Sequence, residues 1–172
     1  SLVGKVHPVS FDLSDLVAKF DDGSIIKGES EIDKKLIFEG GKIVSLALEP
    51  TAYANSDAHD AIKNSDVICI APGSFYTSIL PNLLPVGIKE TISRTRVSII
   101  YVANLLSEGL GMQNLSLKDI LKTLEAHLGR EVTRIIVNTE KPPMNELKVM
   151  GYEKENKLPL KYDELKSSYR LI

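Results

Sequence analysis

Three short, continuously apolar segments separated by helix-like segments constrain the fold of this chain more than any other feature. The apolar segments are 67–71, 97–102 and 133–137. Continuous apolar character is typical of strands that are buried on both faces, as in parallel sheets. Parallel neighbours need long crossover connections, which are right-handed. The sequence therefore predicts a βαβαβ core over 56–141.

Helix signals fall where such crossovers need them. Ser56 is expected to cap the first predicted helix, and Pro85 is expected in the first turn of the second. The third helix has the clearest pattern, because its apolar residues share one face, Ser116 can cap its start and Gly129 can end it. The predicted helices are 57–64, 85–93 and 117–128.

The amino-terminal part has a different pattern, since short apolar runs alternate with turn residues over 10–50. Strands are predicted at 16–20, 24–28 and 43–48, with turns at 21–24 and at Gly40-Gly41. The segment Gly28–Glu31 is expected to be a solvated loop. These patterns predict an α/β protein in which an antiparallel β-hairpin region precedes a parallel sheet. Residues 1–172 are predicted to form a single domain, with a further strand or helix around 158–165.

Charge and cysteine content exclude several classes of protein. The formal net charge is −2, from 21 basic and 23 acidic residues, so we expect no nucleic-acid surface. No apolar stretch approaches the ~20 residues of a membrane helix, and Ser1–Lys5 does not resemble a signal peptide. Cys69 is the one cysteine, which fits a reducing compartment; we expect it to be buried in its strand rather than nucleophilic.

The segment after the first buried strand carries the clearest ligand-binding pattern. In open parallel sheets, ligands bind beyond the carboxyl ends of the strands. Gly73 can let a ligand approach the backbone, while Ser74, Thr77 and Ser78 can donate to phosphate oxygens. The Gly-Lys-Ser/Thr ending of a Walker loop is absent. The alternative interpretation is an ordinary, turn-rich connection between a strand and a helix.

Other polar residues give weaker signals. Asn104 and Asn138 each follow a predicted strand, where asparagine can face a ligand or cap a turn. Glu29 and Glu31 could hold a metal or act as a base, although a solvated loop is the favoured interpretation. The set Asp57, His59 and Asp60 has metal-ligand chemistry, but both aspartates also suit a helix start. We assign no catalytic or metal-binding residue from these patterns.

The run 66–84 resembles the gluconeogenesis-factor (YvcK-like) family of the CofD-like superfamily. That family reads close to Gly-Pro-Gly-Ser-Leu-Tyr-Thr-Ser-Ile-Leu-Pro-Asn-Leu-Leu where this chain has Ala71-Pro72-Gly73-Ser74 and the ten residues that follow. Short matches in the same order extend the resemblance from about residue 7 to residue 138. They are His7-Pro8, Asp22-Gly23, Gly28–Ser30, Ala61-Ile62, Tyr101–Asn104 and Val137-Asn138.

The resemblance implies a three-layer, Rossmann-like α/β/α fold of which this chain would be a carboxyl-terminal fragment. It also implies a cytoplasmic regulator of bacterial cell shape and of wall-precursor and gluconeogenic metabolism. The ligand would be a nucleotide-sugar of the UDP-N-acetylglucosamine type, with no cofactor and no established reaction. The residues carried over as ligand contacts are Gly73, Ser74, Thr77, Ser78, Asn82 and Asn104.

The chain departs from the family pattern after Asn104. The family carries Thr-Gln-Pro-Gly-Glu-Thr where this chain has Ser107-Glu108-Gly109-Leu110-Gly111-Met112. Two alternatives therefore stay open. One is an enzyme like the phospho-lactate transferases of the superfamily, which would need Mg²⁺ and carboxylates such as Glu29. The other is an interaction module without a small ligand; a homo-oligomer is possible with any of these functions.

Overall fold

The computed structural model describes residues 3–138, 140, 143–149 and 151–156; the feature predicted around 158–165 lies outside them. The strands are β1 Asp15–Phe20, β2 Ile25–Lys27, β3 Ile43–Glu49, β4 Val67–Ile70, β5 Ser98–Val102 and β6 Arg134–Ile136. The α-helices are α1 Glu29–Lys34, α2 Ser56–Lys63, α3 Ile88–Arg94, α4 Leu117–Leu128 and α5 Met144–Val149. The predicted α/β class, with a parallel sheet and a separate antiparallel region, is confirmed.

The antiparallel sheet has the strand order β2-β1-β3. The central strand β1 pairs with β2 at Ala18↔Ile26 and with β3 at Ala18↔Leu46. Leu16, Ala18 and Phe20 of β1 are buried, because they point towards the helices rather than solvent. This sheet therefore contributes one face to the core.

The parallel sheet has the order β4-β5-β6, with Ile70 opposite Tyr101 and Tyr101 opposite Ile135. Each crossover connection leads to the adjacent strand on the same side, from β4 to β5 and from β5 to β6. Right-handed connections therefore bring α3 and α4 to the same face of the sheet. On that face Ile99, Tyr101 and Ile135 are at most 2% exposed. The strands and both helices belong to the hydrophobic core that also includes β1.

The opposite face of the parallel sheet is accessible to solvent. Val67 is 46% exposed and Ile136 is 37% exposed, and Cys69 lies between them in register. Cys69 is itself exposed, so the expectation that this thiol is buried was wrong. The apolar strand sequence indicated burial on both faces, but the residues that the structure describes cover only one.

Helix α4 has the predicted boundaries and caps. Ser116 accepts a hydrogen bond from the backbone N–H of Asp119, whose carboxylate accepts from Ser116, and Gly129 ends the helix at φ 73°. The other two predicted starts need correction. Asn55, not Ser56, caps α2 by accepting from the Asp57 N–H, and α3 begins at Ile88, after Gly87 rather than at Pro85.

The segment 29–39 was expected to belong to the β region and is helical instead. Helix α1 continues into a π-helical turn, Lys35–Glu39, that ends at Gly40. Ile32 and Leu36 are buried one turn apart, which gives this segment its own apolar stripe. Its exposed charged residues surround that stripe and weaken its signal in the sequence. In the described part of the chain, no helix has both the length and the apolar character needed to cross a membrane.

Candidate functional site

The segment after β4 is helical rather than a turn-rich loop. Phe75–Ile79 forms a π-helical turn and Leu80–Leu83 a 3₁₀ turn. The Ser74 carbonyl accepts hydrogen bonds from the N–H groups of Ser78, at 2.7 Å, and of Ile79, at 2.8 Å. Phe75, Ile79 and Leu80 are buried, so helical coiling lets three apolar side chains enter the core together.

Asn104 and Gly73 meet at the carboxyl ends of β4 and β5. The Gly73 N–H donates to Asn104 Oδ1 at 3.2 Å, and Asn104 Nδ2 donates to the Gly73 carbonyl at 2.9 Å. The same amide also donates to Glu108 Oε1 at 3.0 Å. The structure thus brings together two of the residues predicted to contact a ligand.

Glu108 holds a second backbone donor of the same loop. Its Oε2 atom accepts from the Phe75 N–H at 2.8 Å. The loop N–H groups of Gly73 and Phe75 therefore already have side-chain partners, whereas the sequence suggested that such groups would be available to phosphate. Burial, and then the negative charge of Glu108, raises the pKa of nearby Tyr101 to about 12, so its phenol is neutral near pH 7.

Thr77, Ser78 and Asn82 lie together at a different place, in the wall of a cavity of about 390 Å³. Ser78 and Asn82 are exposed and one helical turn apart, and Asn82 Nδ2 donates to the Ser78 carbonyl at 2.6 Å. Thr77 is only 4% exposed, and its hydroxyl donates to Asp33 Oδ1 of α1 at 2.8 Å. Thr77 thus anchors the cavity wall to α1, while Ser78 and Asn82 remain accessible.

Four polar residues of the amino-terminal region also line this cavity, beside apolar residues such as Leu48 and Ala52. The four polar residues are Ser10, Asp12, Ser14 and Glu29. Two of them are fixed by backbone contacts: Asp12 Oδ2 accepts from the Tyr53 N–H at 2.7 Å, and the Ser14 hydroxyl donates to the Pro50 carbonyl at 2.7 Å. The lining combines hydroxyls, an amide and two carboxylates, a set that suits a ligand with several hydroxyl groups.

Sequence reasoning found part of this site. It gave Glu29 as a possible metal or base residue, although Glu29 lies at the start of α1 and not in a loop. It missed Ser10, Asp12 and Ser14, whose alternation of small polar residues just before β1 was the available signal. It also missed the contact of Glu108 with the loop, although the departure of 107–112 from the family pattern singled out that segment.

The other polar candidates lie elsewhere. His7 Nδ1 is 3.5 Å from Asp57 Oδ2, and His59 Nδ1 is 3.6 Å from Asp60 Oδ1. Asn138 accepts a hydrogen bond from the Glu140 N–H at 2.9 Å, as a turn residue does. Across the residues that the structure describes, no three His, Cys, Asp or Glu side chains are grouped so that they could hold a metal ion.

Comparison with known proteins identifies relatives of this chain. The family model described as 2-phospho-L-lactate transferase CofD matches residues 1–171. Proteins named "Putative gluconeogenesis factor" from Thermotoga maritima and Aquifex aeolicus are 39% identical over 142 residues and 35% identical over 162 residues. These alignments cover 83% and 93% of this chain, but 44% and 48% of the relatives.

A solved structure agrees with the fold. The crystal structure of a member of the UPF0052 family from Bacillus halodurans has a TM-score of 0.85 at 35% identity. That match covers 98% of this chain and 54% of the other. The chain therefore spans about half the length of the curated relatives and of the solved structure that it matches.

Proposed function

We propose, from the premise that this chain belongs to the CofD family, that it forms part of a cytoplasmic regulator which binds a nucleotide-sugar. The regulated processes would be cell shape and wall-precursor and gluconeogenic metabolism, and the ligand would be of the UDP-N-acetylglucosamine type. The name of the Thermotoga maritima and Aquifex aeolicus relatives supports the metabolic part of this proposal.

The observation that carries the proposal is the lining of the 390 Å³ cavity. Ser78 and Asn82 face the same space as the carboxylates of Asp12 and Glu29. Carboxylates and amides at a partly enclosed surface accept and donate the paired hydrogen bonds that sugar hydroxyls make. Neither Lys nor Arg is among the lining residues, so the sugar, rather than the diphosphate, suits this cavity.

The diphosphate would lie at the loop beyond β4 in this proposal. Gly73, Ser74 and Asn104 are at the carboxyl edge of the parallel sheet, where α/β proteins bind ligands. Because Glu108 bonds to the Phe75 N–H, a phosphate would compete with this carboxylate for the same donor. Ligand binding would therefore include a rearrangement of Glu108.

Thermal melting with candidate ligands tests the proposal. The chain and the full-length Thermotoga maritima relative would each be melted with UDP-N-acetylglucosamine, UDP-glucose, or GDP plus Mg²⁺. A ligand at a concentration of 100 times its dissociation constant adds about 2.7 kcal/mol to the free energy of unfolding. We expect a UDP-sugar to stabilise the relative selectively; the absence of any shift with either UDP-sugar would contradict the proposal.

Two asparagine variants test the cavity itself. In this chain Asn82→Ala removes an amide that lines the cavity, together with its bond to the Ser78 carbonyl. Asn64→Ala is the matched control, because Asn64 Nδ2 makes the equivalent bond to the Asp60 carbonyl at 2.9 Å and lies outside this cavity. We expect only Asn82→Ala to weaken UDP-sugar binding, by about tenfold for one lost polar contact. Equal affinities in the two variants would contradict the assignment of this cavity.

An enzyme of the phospho-lactate transferase type is the second candidate. The description of the matching family model favours it, and Asp12 and Glu29 supply carboxylates that could hold Mg²⁺. Mg²⁺-dependent consumption of a nucleotide-linked donor, lost in Glu29→Gln, would support this candidate. Binding of the donor without consumption would favour the regulator.

A further inference from the structure

A groove of about 810 Å³ lies between strand β3 and helix α4, apart from the cavity described above. We define the β3 groove by the residues of β3, of the segment after β4 and of α4 that line it, which are Ile43–Leu46, Tyr76, Leu80, Lys122 and Ala126. The two linings have no described residue in common. Tyr76 faces the groove, whereas Ser78 and Asn82 line the cavity, so the helical segment after β4 separates the two spaces.

Strand β3 presents a free edge to this groove. It is a terminal strand of the antiparallel sheet, and β1 is its one described neighbour. Ile43–Leu46 are consecutive and all line the groove, although alternate side chains of a strand point to opposite faces. The groove therefore lies beside the strand and not over one of its faces. Alternate N–H and C=O groups of such an edge point outwards, where an added strand can pair with them.

Tyr76 places a hydrogen-bonding group in the groove. Its side chain is 8% exposed, and its ring packs edge to face against Phe75 with the centroids 5.1 Å apart. Its hydroxyl makes no hydrogen bond with a described residue, although a buried tyrosine hydroxyl usually has one. Burial, and then the charge of Asp119, raises the pKa of Tyr76, so the phenol stays protonated near pH 7. The hydroxyl can therefore donate to a carbonyl or carboxylate that enters the groove.

The charged groups around the groove favour an acidic partner. The Asp21 carboxylate accepts from the Lys42 N–H at 3.0 Å. The Asp119 carboxylate accepts from the Ser116 N–H at 3.0 Å. Both lining carboxylates thus have donors within the chain. In contrast, the ammonium groups of Lys42 and Lys122, which also line the groove, form no ion pair with a described residue.

We propose that the β3 groove binds an extended peptide segment of a partner protein, which adds to the edge of β3 as a fourth strand. Its backbone pairs with β3, and its apolar side chains pack against Leu80 and Ala126. An acidic side chain of the segment binds Lys42 or Lys122. In recognition of this kind, backbone hydrogen bonds give affinity, and contacts of alternate side chains give specificity.

A second copy of the chain fits this groove less well than a single peptide does. Helix α4 forms the wall opposite β3, so it limits the space beside the strand edge. If β3 paired with β3 of a second copy around a two-fold axis, the groove would have to admit that strand together with the second copy's own α4. An extended peptide segment brings no helix with it.

Selection of peptides tests the proposal with a defined probe. The 172-residue chain would select binders from random decapeptides displayed on phage. The dissociation constant of the most enriched peptide would then be measured by fluorescence anisotropy. We expect apolar residues at alternate positions and at least one aspartate or glutamate in the enriched sequences. A selection that enriches no sequence would overturn the proposal.

Variants of the groove locate the bound peptide. Lys42→Glu/Lys122→Glu reverses two charges of the lining and should weaken binding by about tenfold or more. Lys5→Glu/Lys118→Glu is the matched control, because both lysines are exposed, lie outside the groove and change the net charge equally. Tyr76→Phe removes only the hydroxyl and should weaken binding about fivefold, for one lost hydrogen bond. Equal affinities of the two double variants would overturn the proposal.

Methylation of the peptide backbone separates strand addition from binding through side chains alone. In an added strand, every second N–H points to β3 and the N–H groups between them point away. Methylation of the first set should weaken binding by about tenfold or more, whereas methylation of the second set should change it by less than about twofold. Equal effects of the two sets would contradict strand addition and overturn the proposal.

Light scattering of the chain in reductant addresses the competing occupant. A dimer that Lys42→Glu/Lys122→Glu converts to a monomer, while Lys5→Glu/Lys118→Glu does not, would assign the groove to a second copy and overturn the proposal. A monomeric chain would support it, because the groove would then be open to a peptide.

Discussion

At the scale of single residues, Asn104 and Glu108 determine how the segment after β4 is held. One asparagine amide and one carboxylate satisfy three backbone groups of that segment, those of Gly73 and Phe75. Asn104, which the sequence assigned to ligand binding, therefore also stabilises the folded chain through its hydrogen bonds to Gly73. Loss of ligand binding in an Asn104 variant has to be separated from loss of this stabilisation.

Asn104→Ala is expected to destabilise the chain even without ligand. It leaves the part-buried N–H and carbonyl of Gly73 without their partner, which costs about 1–3 kcal/mol. Urea unfolding measures this free energy. Asn114→Ala, at an exposed position, should change it by less than about 0.5 kcal/mol. An equal loss of unfolding free energy in both variants would mean that the hydrogen bonds between Asn104 and Gly73 do not stabilise the chain measurably.

The carboxylate of Asp22 has the largest resolved shift among the carboxyl groups of the described residues. Hydrogen bonds from the Ser24 hydroxyl and N–H, followed by one from Lys35, lower its pKa from 3.8 to about 2. The folded-state pKa is lowered, so the stabilising contribution is complete above the unfolded-state pKa. It is lost as the pH falls from about 4 through about 2.

Removal of the Ser24 hydroxyl should raise the pKa of Asp22 towards 3.8. Carboxyl-carbon NMR titration of Ser24→Ala and of Lys35→Met measures the two effects separately. Because the Ser24 hydroxyl bond is the largest cause of the shift, Ser24→Ala should move the pKa further than Lys35→Met does. The reverse order would make the ion pair with Lys35 dominant.

At the scale of secondary-structure elements, local signals predicted what local interactions determine. Ser116 and Gly129 predicted both ends of α4 correctly, because helix capping and a left-handed terminal residue depend only on residues at the helix ends. The start of α3 was misplaced, since both Pro85 and Gly87 can precede a helix and only the tertiary contacts of Ile88 decide between them. The helical turn at 75–79 was missed because Gly73, Ser74, Thr77 and Ser78 were interpreted as a loop, although Phe75 and Ile79 have helical spacing.

The contact between Gly109 and the π-helical turn at 35–39 shows a constraint that sequence could not give. Gly109 has φ 74°, and an added Cβ would lie 2.3 Å from Ile37 Cα and 2.9 Å from the Leu36 carbonyl oxygen. The positive φ and the close approach of backbone atoms both favour glycine here. The family pattern has proline at this position, so the resemblance did not predict the approach.

Gly109→Ala is therefore expected to destabilise the chain by about 3 kcal/mol or more, through steric overlap with backbone atoms. Gly23→Ala is the matched control: Gly23 has φ 84°, yet an added Cβ would meet no atom within 4 Å. That variant should lose only about 1–2 kcal/mol, from the left-handed backbone alone. Equal losses in urea unfolding would show that the 109–112 segment moves aside.

At the scale of the whole molecule, a common core links the two sheets. Leu16 and Phe20 of the antiparallel sheet belong to the same buried cluster as Tyr101 and Ile135 of the parallel sheet. The α/β class and the parallel sheet followed from the sequence, because apolar runs and turn residues are local features. The exposure of one face of the parallel sheet did not, since the apolar composition of the strands indicated burial on both faces.

Shared burial predicts that the two sheets unfold cooperatively. The single domain over 1–172 stays a prediction, which this unfolding would test. Hydrogen exchange at amides of β1 and of β5 should give opening free energies within about 1 kcal/mol of each other. Leu124→Ala, which empties a 0% exposed position in α4, should lower both values together by about 2–5 kcal/mol. A fall confined to β5 would divide the chain into two units.

The exposure of Cys69 has a consequence for handling the protein. With one cysteine in the chain, oxidation can join this thiol only to that of another molecule. Such a disulfide would join two molecules through the exposed faces of their parallel sheets, where Cys69 lies. A preparation stored without reductant would then gain a covalent dimer, visible on a non-reducing gel, that reflects storage chemistry and not the protein.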